Sequence, residues 1–146
     1  MSYSAIQVAN TIIQEARKQN IPDLTPMKLQ KLMFFAQSWY IKQNKRVLID
    51  DFFSRWEYGP VIPSIYYEFS PYGASVIEEY AKDPYGKEVE VIQDSDDINF
   101  IQAILNVYGS LNGWQLSMMT HAPGTAWSMG NKGTVIESID MLQGKV

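Results

Sequence analysis

Cysteine is absent from the 146 residues, and histidine occurs once, at His121. Without thiols there is no disulfide framework, no thiolate nucleophile and no zinc–thiolate site. One imidazole cannot build a multi-histidine metal centre, and the surrounding MMTHAPGTAW brings no carboxylates to replace the missing ligands. The phosphate-cradling patterns GxxxxGKS and GxGxxG are missing, as is the GxSxG turn that presents a nucleophilic serine. No stretch reaches the ~18 consecutive apolar residues of a membrane span, and the start, MSYSAIQVANTIIQEARKQN, lacks the basic residues and apolar run of a secretory signal. Basic residues are in deficit too: 12 Lys and Arg against 16 Asp and Glu leave a net charge of −4, which repels phosphate backbones. The expectation is a soluble protein of a reducing cytosol, with no cofactor, no metal and no membrane or nucleic-acid partner.

What is present is material for a core. Hydrophobic residues make up 46% of the chain and charged residues 19%, with no linker and no internal repeat. Residues 1–146 therefore read as one domain, able to bury roughly 70% of its unfolded surface. Ser4 and Gln7 make a capping box ahead of Ile6, Ala9, Ile12, Ile13 and Ala16, whose spacing predicts an amphipathic helix over 5–19. Thr25 and Pro26 supply a cap and a first-turn proline for an unbroken helix reaching Asn44, apolar nearly all round from Leu29 to Ile41. It is expected to be the central, most buried element.

Residues 47–58 read as two short strands, or one strand and an extended arm; Gly59-Pro60 is a break, and Pro63 starts a helix carrying Ile65, Tyr66 and Phe69. Further helices are predicted over 74–81, over about 96–109 behind the acids of DSDD, after Asn112, and at the C-terminus behind a Thr134–Glu137 capping box. Val89 and Val91 alternate with charges like an edge strand. The fold class expected is mainly α: a compact single helical domain around one buried helix, with a small antiparallel β-sheet, α+β by a narrow count.

Several residues invite a functional reading. His121 reads either as the base of a small hydrolase, since triads assemble in space, or as a tie between a helix end and the following turn through its two ring nitrogens. Lys28 and Lys31 share one side of the second helix near Gln30 and read as a solvated polar edge. A helix-turn-helix built from the first two helices is weakened by a second helix that is apolar nearly all round. The run EEYAKDPYGKEVEVIQDSDD is either a solvated acidic edge or a docking surface.

Three blocks, LTPMKLQKLMFFAQSWY, RWEYGPVIPSIYYEF and LSMMTHAPGTAW, occur in an order that resembles the Panacea domain family of SocA-like antitoxins and GepA-like phage-associated proteins. The matching positions are Thr25, Pro26, Lys28, Leu29, Lys31 and Leu32 in the first block. In the second they are Trp56, Tyr58, Gly59, Pro60, Val61, Pro63 and Tyr66, and in the third Leu116, Ser117, Thr120, His121 and Trp127. Ala126 departs from the pattern, because many relatives place proline before the tryptophan. The resemblance implies a mostly helical domain with a small antiparallel sheet and a non-enzymatic role. That role is an antitoxin that binds and neutralises a cognate toxin encoded nearby, with SocA-like members also delivering the toxin to a ClpXP-type protease. A phage or mobile-element protein with another host target is the alternative.

Within RWEYGPVIPSIYYEF, Trp56 and Tyr58 are expected to bury against the central helix while Gly59, Pro60 and Pro63 turn the chain into the next one. That makes the stretch scaffold and assigns binding to other surfaces. Two candidates follow: the Lys28 and Lys31 edge, and the acidic segment. In the latter, Glu78, Glu79, Glu88, Glu90, Asp94, Asp96 and Asp97 would steer a basic partner, with Tyr80 and Tyr85 as anchors.

Overall fold

The Ser4 hydroxyl accepts from the Gln7 amide at 3.1 Å and starts helix α1, Ala5–Lys18, whose buried Val8, Ala9, Ile12, Ile13 and Ala16 form one apolar stripe. Thr25 caps helix α2, Pro26–Asn44, through the Lys28 amide, and Lys45 closes it in the left-handed region at φ 56°. In the computed structural model, which describes residues 2–146, 13 residues of α2 are buried. A helix that is apolar on all sides must be enclosed on all sides, and α2 is the centre around which the other elements pack. Phe34 meets Phe53 edge-on at 5.4 Å between ring centroids, and Phe35 stacks on Tyr108 at 4.3 Å.

Strands β1, Phe53–Trp56, and β2, Gly59–Val61, form a hairpin that turns at Glu57 and Tyr58, with Trp56 opposite Gly59. A third strand, β3, Val135–Ile136, lies on the other side of β1, giving the antiparallel order β2-β1-β3. Pro60 is tolerated because β2 is an edge strand. The remaining helices are α3, Pro63–Phe69, α4, Ser95–Tyr108, α5, Gly113–Thr120, and α6, Ser138–Gln143. About half of the residues are helical, so the fold is mainly α with a small antiparallel sheet, as expected. Among the described residues no helix is long and apolar enough to cross a membrane.

Long extended connections contribute few ladder bonds, so buried helix side chains satisfy their backbone groups instead. On α2, Gln30 exchanges two bonds with the backbone of Ile62, at 3.0 and 2.9 Å, and Gln37 holds the backbone of Leu48 and Ile49. Arg55 on β1 is 3% exposed and ties the sheet to the C-terminal region, donating to Trp127 O, Ala126 O, Val135 O, Thr134 Oγ1 and Asp140 Oδ2 at 2.8–3.1 Å.

Three expected elements differ. Residues 74–81 are not a helix, and Val89 and Val91 are not in a strand; the only pairing there is one bridge between Lys82 and Glu88. Asn10 of α1 explains both, donating to Ala81 O and Val89 O and accepting from the Ala81 amide, while the Ile92 amide donates to Thr11 Oγ1. With buried Ile77, Ala81 and Ile92 pinned individually, the chain needs no regular ladder. The last helix starts at Ser138, capped by Glu137 with Asp140, and not behind Thr134; its buried residue is Met141, whereas Ile139 is exposed and Ile136 belongs to β3.

Candidate functional site

Residues 56–58 form the tip of the β1–β2 hairpin, and each of their backbone carbonyls is held from behind. Trp127 Nε1 donates to Trp56 O at 2.9 Å, His121 Nε2 meets Glu57 O at 2.7 Å, and the Ser117 hydroxyl donates to Tyr58 O. Thr120 Oγ1 donates to Ser117 O at 2.6 Å, which fixes the end of α5 that carries Ser117 and His121. All four side chains belong to the third sequence block, so that block serves as the mount for the second. Hydrogen bonds that hold a turn from the rear, here part-buried or exposed, leave its side chains to face outward on a braced backbone.

What faces outward is an aromatic surface around a cavity. Pro26, Met27, Gln30 and Lys31 from α2, Trp56, Glu57, Tyr58 and Val61 from the hairpin, and Ile65 and Tyr66 from α3 line about 420 Å³. Trp56 and Tyr66 lie 4.8 Å apart between ring centroids, Tyr66 contacts Tyr67 at 5.5 Å, and Tyr58 faces Trp114 of α5 at 6.5 Å. Tyr58 is 54% exposed, Trp114 58% and Tyr67 71%. Such a run of exposed rings, next to a concavity and able to supply contact area at low entropy cost, has the composition of a protein-binding centre.

The expectation that Trp56 and Tyr58 bury against α2 is corrected: Tyr58 is exposed and Trp56 is half-buried. The hairpin turn projects them away from the core, while Phe53 and the carbonyl clamps do the anchoring. The solvated edge expected at Lys28 and Lys31 is corrected as well, since both side chains are enclosed. Lys28 bridges Asp23 at 2.6 Å and Gly109 O at 2.7 Å, stapling the start of α2 to the end of α4. Lys31 lines the cavity with a single 3.4 Å bond to Pro60 O, and burial lowers its ammonium to about 8.

His121 is the tie between a helix end and a turn. Nδ1 lies 2.7 Å from Ser117 O, Nε2 reaches the hairpin, and the ring packs 4.1 Å from Trp127. Both nitrogens are thus directed at backbone carbonyls, and His121 does not line the cavity. Thr25 and Pro26 start α2, Leu29, Leu32 and Leu116 are core, and Gly59, Pro60, Val61 and Pro63 shape the hairpin and the entry to α3.

The acidic segment divides. Asp94 caps α4 by accepting from the Asp97 amide, and Asp97 accepts from Tyr3 at 2.5 Å and Tyr40 at 3.1 Å. Burial, followed by that carboxylate, pushes the Tyr3 phenol up. Tyr80 is half-buried under Arg17, whose guanidinium sits 4.6 Å from the ring, whereas Tyr85 is 95% exposed. Glu78, Glu79, Glu88, Glu90 and Asp96 are exposed, and none lines the aromatic cavity. Sequence reasoning missed Trp114, Tyr67 and Met27. The signal available was a tryptophan two residues after the Asn112 cap, in the first turn of a short helix.

A family model described as "Antitoxin SocA-like, Panacea domain" matches residues 29–128. The chain belongs to this family. The Antitoxin SocA of Caulobacter vibrioides (strain NA1000 / CB15N) is 31% identical over 133 residues, which cover 88% of this chain and 70% of that protein. No solved structure matches the chain. The matched span opens in α2 and closes just after Trp127, so it holds the hairpin, the groups that clamp it and most of the cavity wall.

Proposed function

We propose that the protein is the antitoxin of a toxin–antitoxin pair, acting in the cytosol by binding and neutralising a protein toxin encoded beside it, without chemistry of its own. The observation that carries this reading is the clamped hairpin tip, whose exposed rings join Trp114 and the α3 tyrosines around the cavity. Rigid aromatic groups lose little entropy on binding, which is why such residues dominate interface energetics. The acidic edge at Glu78, Glu79, Glu88, Glu90 and Asp96 then serves as steering charge for a basic toxin. Family membership supports the antitoxin role.

Co-expression with the neighbouring open reading frame tests it. The neighbour alone should arrest growth, the pair should not, and the two should co-purify as a stable complex burying about 1,200–2,000 Å². A harmless neighbour, or a toxic one that this chain neither binds nor relieves, overturns the reading. The proposal extends to delivery of the bound toxin to a ClpXP-type protease. In that case toxin half-life shortens when antitoxin and protease are both present, and simple sequestration leaves it unchanged.

A further inference from the structure

Two lysines are buried in α2, and they are treated differently. Lys28 has a carboxylate, Asp23, and a backbone carbonyl within 2.7 Å. Among the described residues Lys31, 1% exposed, has no carboxylate within ion-pairing distance, and one carbonyl at 3.4 Å is the only hydrogen-bond partner of its ammonium. An ammonium has three donors, and a buried cation left with one long bond is an unbalanced charge. The only acid in the same cavity lining, Glu57, is exposed and forms no ion pair with it. The surroundings are built to keep the lysine there: Gly59, at φ +117°, has no Cβ where Lys31 Cε would collide with it.

We infer that Lys31 is a receptor for one carboxylate of the toxin: an acidic side chain, flanked by an apolar residue, that enters the cavity and completes the ion pair the fold leaves open. This deepens the antitoxin reading and rests on it for the identity of the partner. A single ammonium matches a monoanion, whereas a phosphate group calls for several donors, and no other cation lines the cavity. At about 420 Å³ the space falls within the range of about 300–1,000 Å³ for ligand sites, enough for an acid and an apolar neighbour together. The walls, Met27, Trp56, Val61, Ile65 and Tyr66, are apolar or aromatic and exclude water from the pair, which strengthens it. The rings continue past the cavity from Tyr58 to Trp114 and from Tyr66 to Tyr67, a surface larger than a small acid would use and suited to a polypeptide.

Two experiments test the inference separately from the antitoxin reading. The first uses no toxin. N-acetylphenylalanine and its neutral amide are titrated into the protein, with Lys31 Cε and the Trp56 indole followed by NMR. The acid should bind more tightly than the amide in the wild type but not in Lys31→Met, which keeps an unbranched side chain, one atom shorter, and removes its charge. Equal binding of acid and amide, or no response at either probe, overturns the inference. The second measures toxin affinity for wild type and Lys31→Met, and toxin binding should fall by roughly 30-fold or more. One Asp→Asn or Glu→Gln change in the toxin should reproduce the loss and add nothing to it in the variant. If folded Lys31→Met binds toxin as the wild type does, the toxin carboxylate is excluded even where the small acid binds, and the cavity then serves a free acid. If the wild type binds no toxin, the antitoxin reading falls, and the partner assigned to this cavity falls with it.

Discussion

Gly59 and Lys31 compete for the same space: a Cβ added to Gly59 would lie 2.8 Å from Lys31 Cε and 2.6 Å from Thr120 Oγ1. The glycine also holds φ +117°, a conformation that residues with a Cβ rarely adopt. Gly59→Ala therefore combines backbone strain with overpacking, and unfolding in urea should show a loss of at least about 2 kcal/mol. Retained stability would mean that the hairpin tip relaxes freely, contrary to its three carbonyl clamps.

Lys31 also sets a pH dependence. Burial lowers its ammonium from the ordinary 10.5 to about 8 in the folded chain. Between those values the unfolded chain holds the proton and the folded chain does not, so stability rises with pH across that window. Below the window both states are protonated and the burial penalty stays in full. A displacement of this size is worth about 3 kcal/mol. Lys31→Met should be at least as stable as wild type at pH 7, and the difference should shrink as the pH is raised towards 10. Tyr3 and Tyr40 are common to both proteins and cancel in the comparison. A variant less stable than wild type at pH 7 would show that the ammonium is already well compensated.

How much of this was legible in the sequence depends on distance along the chain. Thr25-Pro26, Asn112 and Asp94 start helices through bonds three residues away, and such local signals were readable. Ser117, His121 and Trp127 reach partners 59, 64 and 71 residues away, so the clamp behind the hairpin could not be derived from spacing. Their joint presence was visible only as a resemblance. The exposure of Tyr58 and the burial of Lys28 and Lys31 were misread for one reason. Aromatic residues in an apolar block read as core and lysines read as surface, unless a fold gives the lysine an acceptor and turns the ring outward.

The segment over residues 77–92 was misread because its order is borrowed from α1. Asn10→Ala removes three hydrogen bonds, to Ala81 O, Val89 O and the Ala81 amide. Losing buried partners costs about 1–3 kcal/mol, and the opening should remain local. Hydrogen exchange should accelerate at Ala81 and Val89 by about 10- to 100-fold while amides in α2 keep their protection. Uniform acceleration across both regions would instead make Asn10 part of the global folding unit.

The aromatic rim and the acidic edge make separable predictions for toxin binding. Tyr58→Ala and Trp114→Ala each remove a ring that is more than half exposed, so stability should change little while the complex dissociates faster by an order of magnitude or more. Reversing Glu88, Glu90 and Asp96 to lysine alters groups that form no ion pair among the described residues. Surface changes of this kind usually shift stability by only about 0.5 kcal/mol each. The reversal should slow association at low salt, leave dissociation nearly unchanged, and weaken the dependence of the association rate on ionic strength. Association and dissociation rates measured at two salt concentrations for the wild type and the variants separate the two roles. If the charge reversals raise the dissociation rate and the ring truncations do not, the acidic segment is the contact surface and the hairpin tip is scaffold after all.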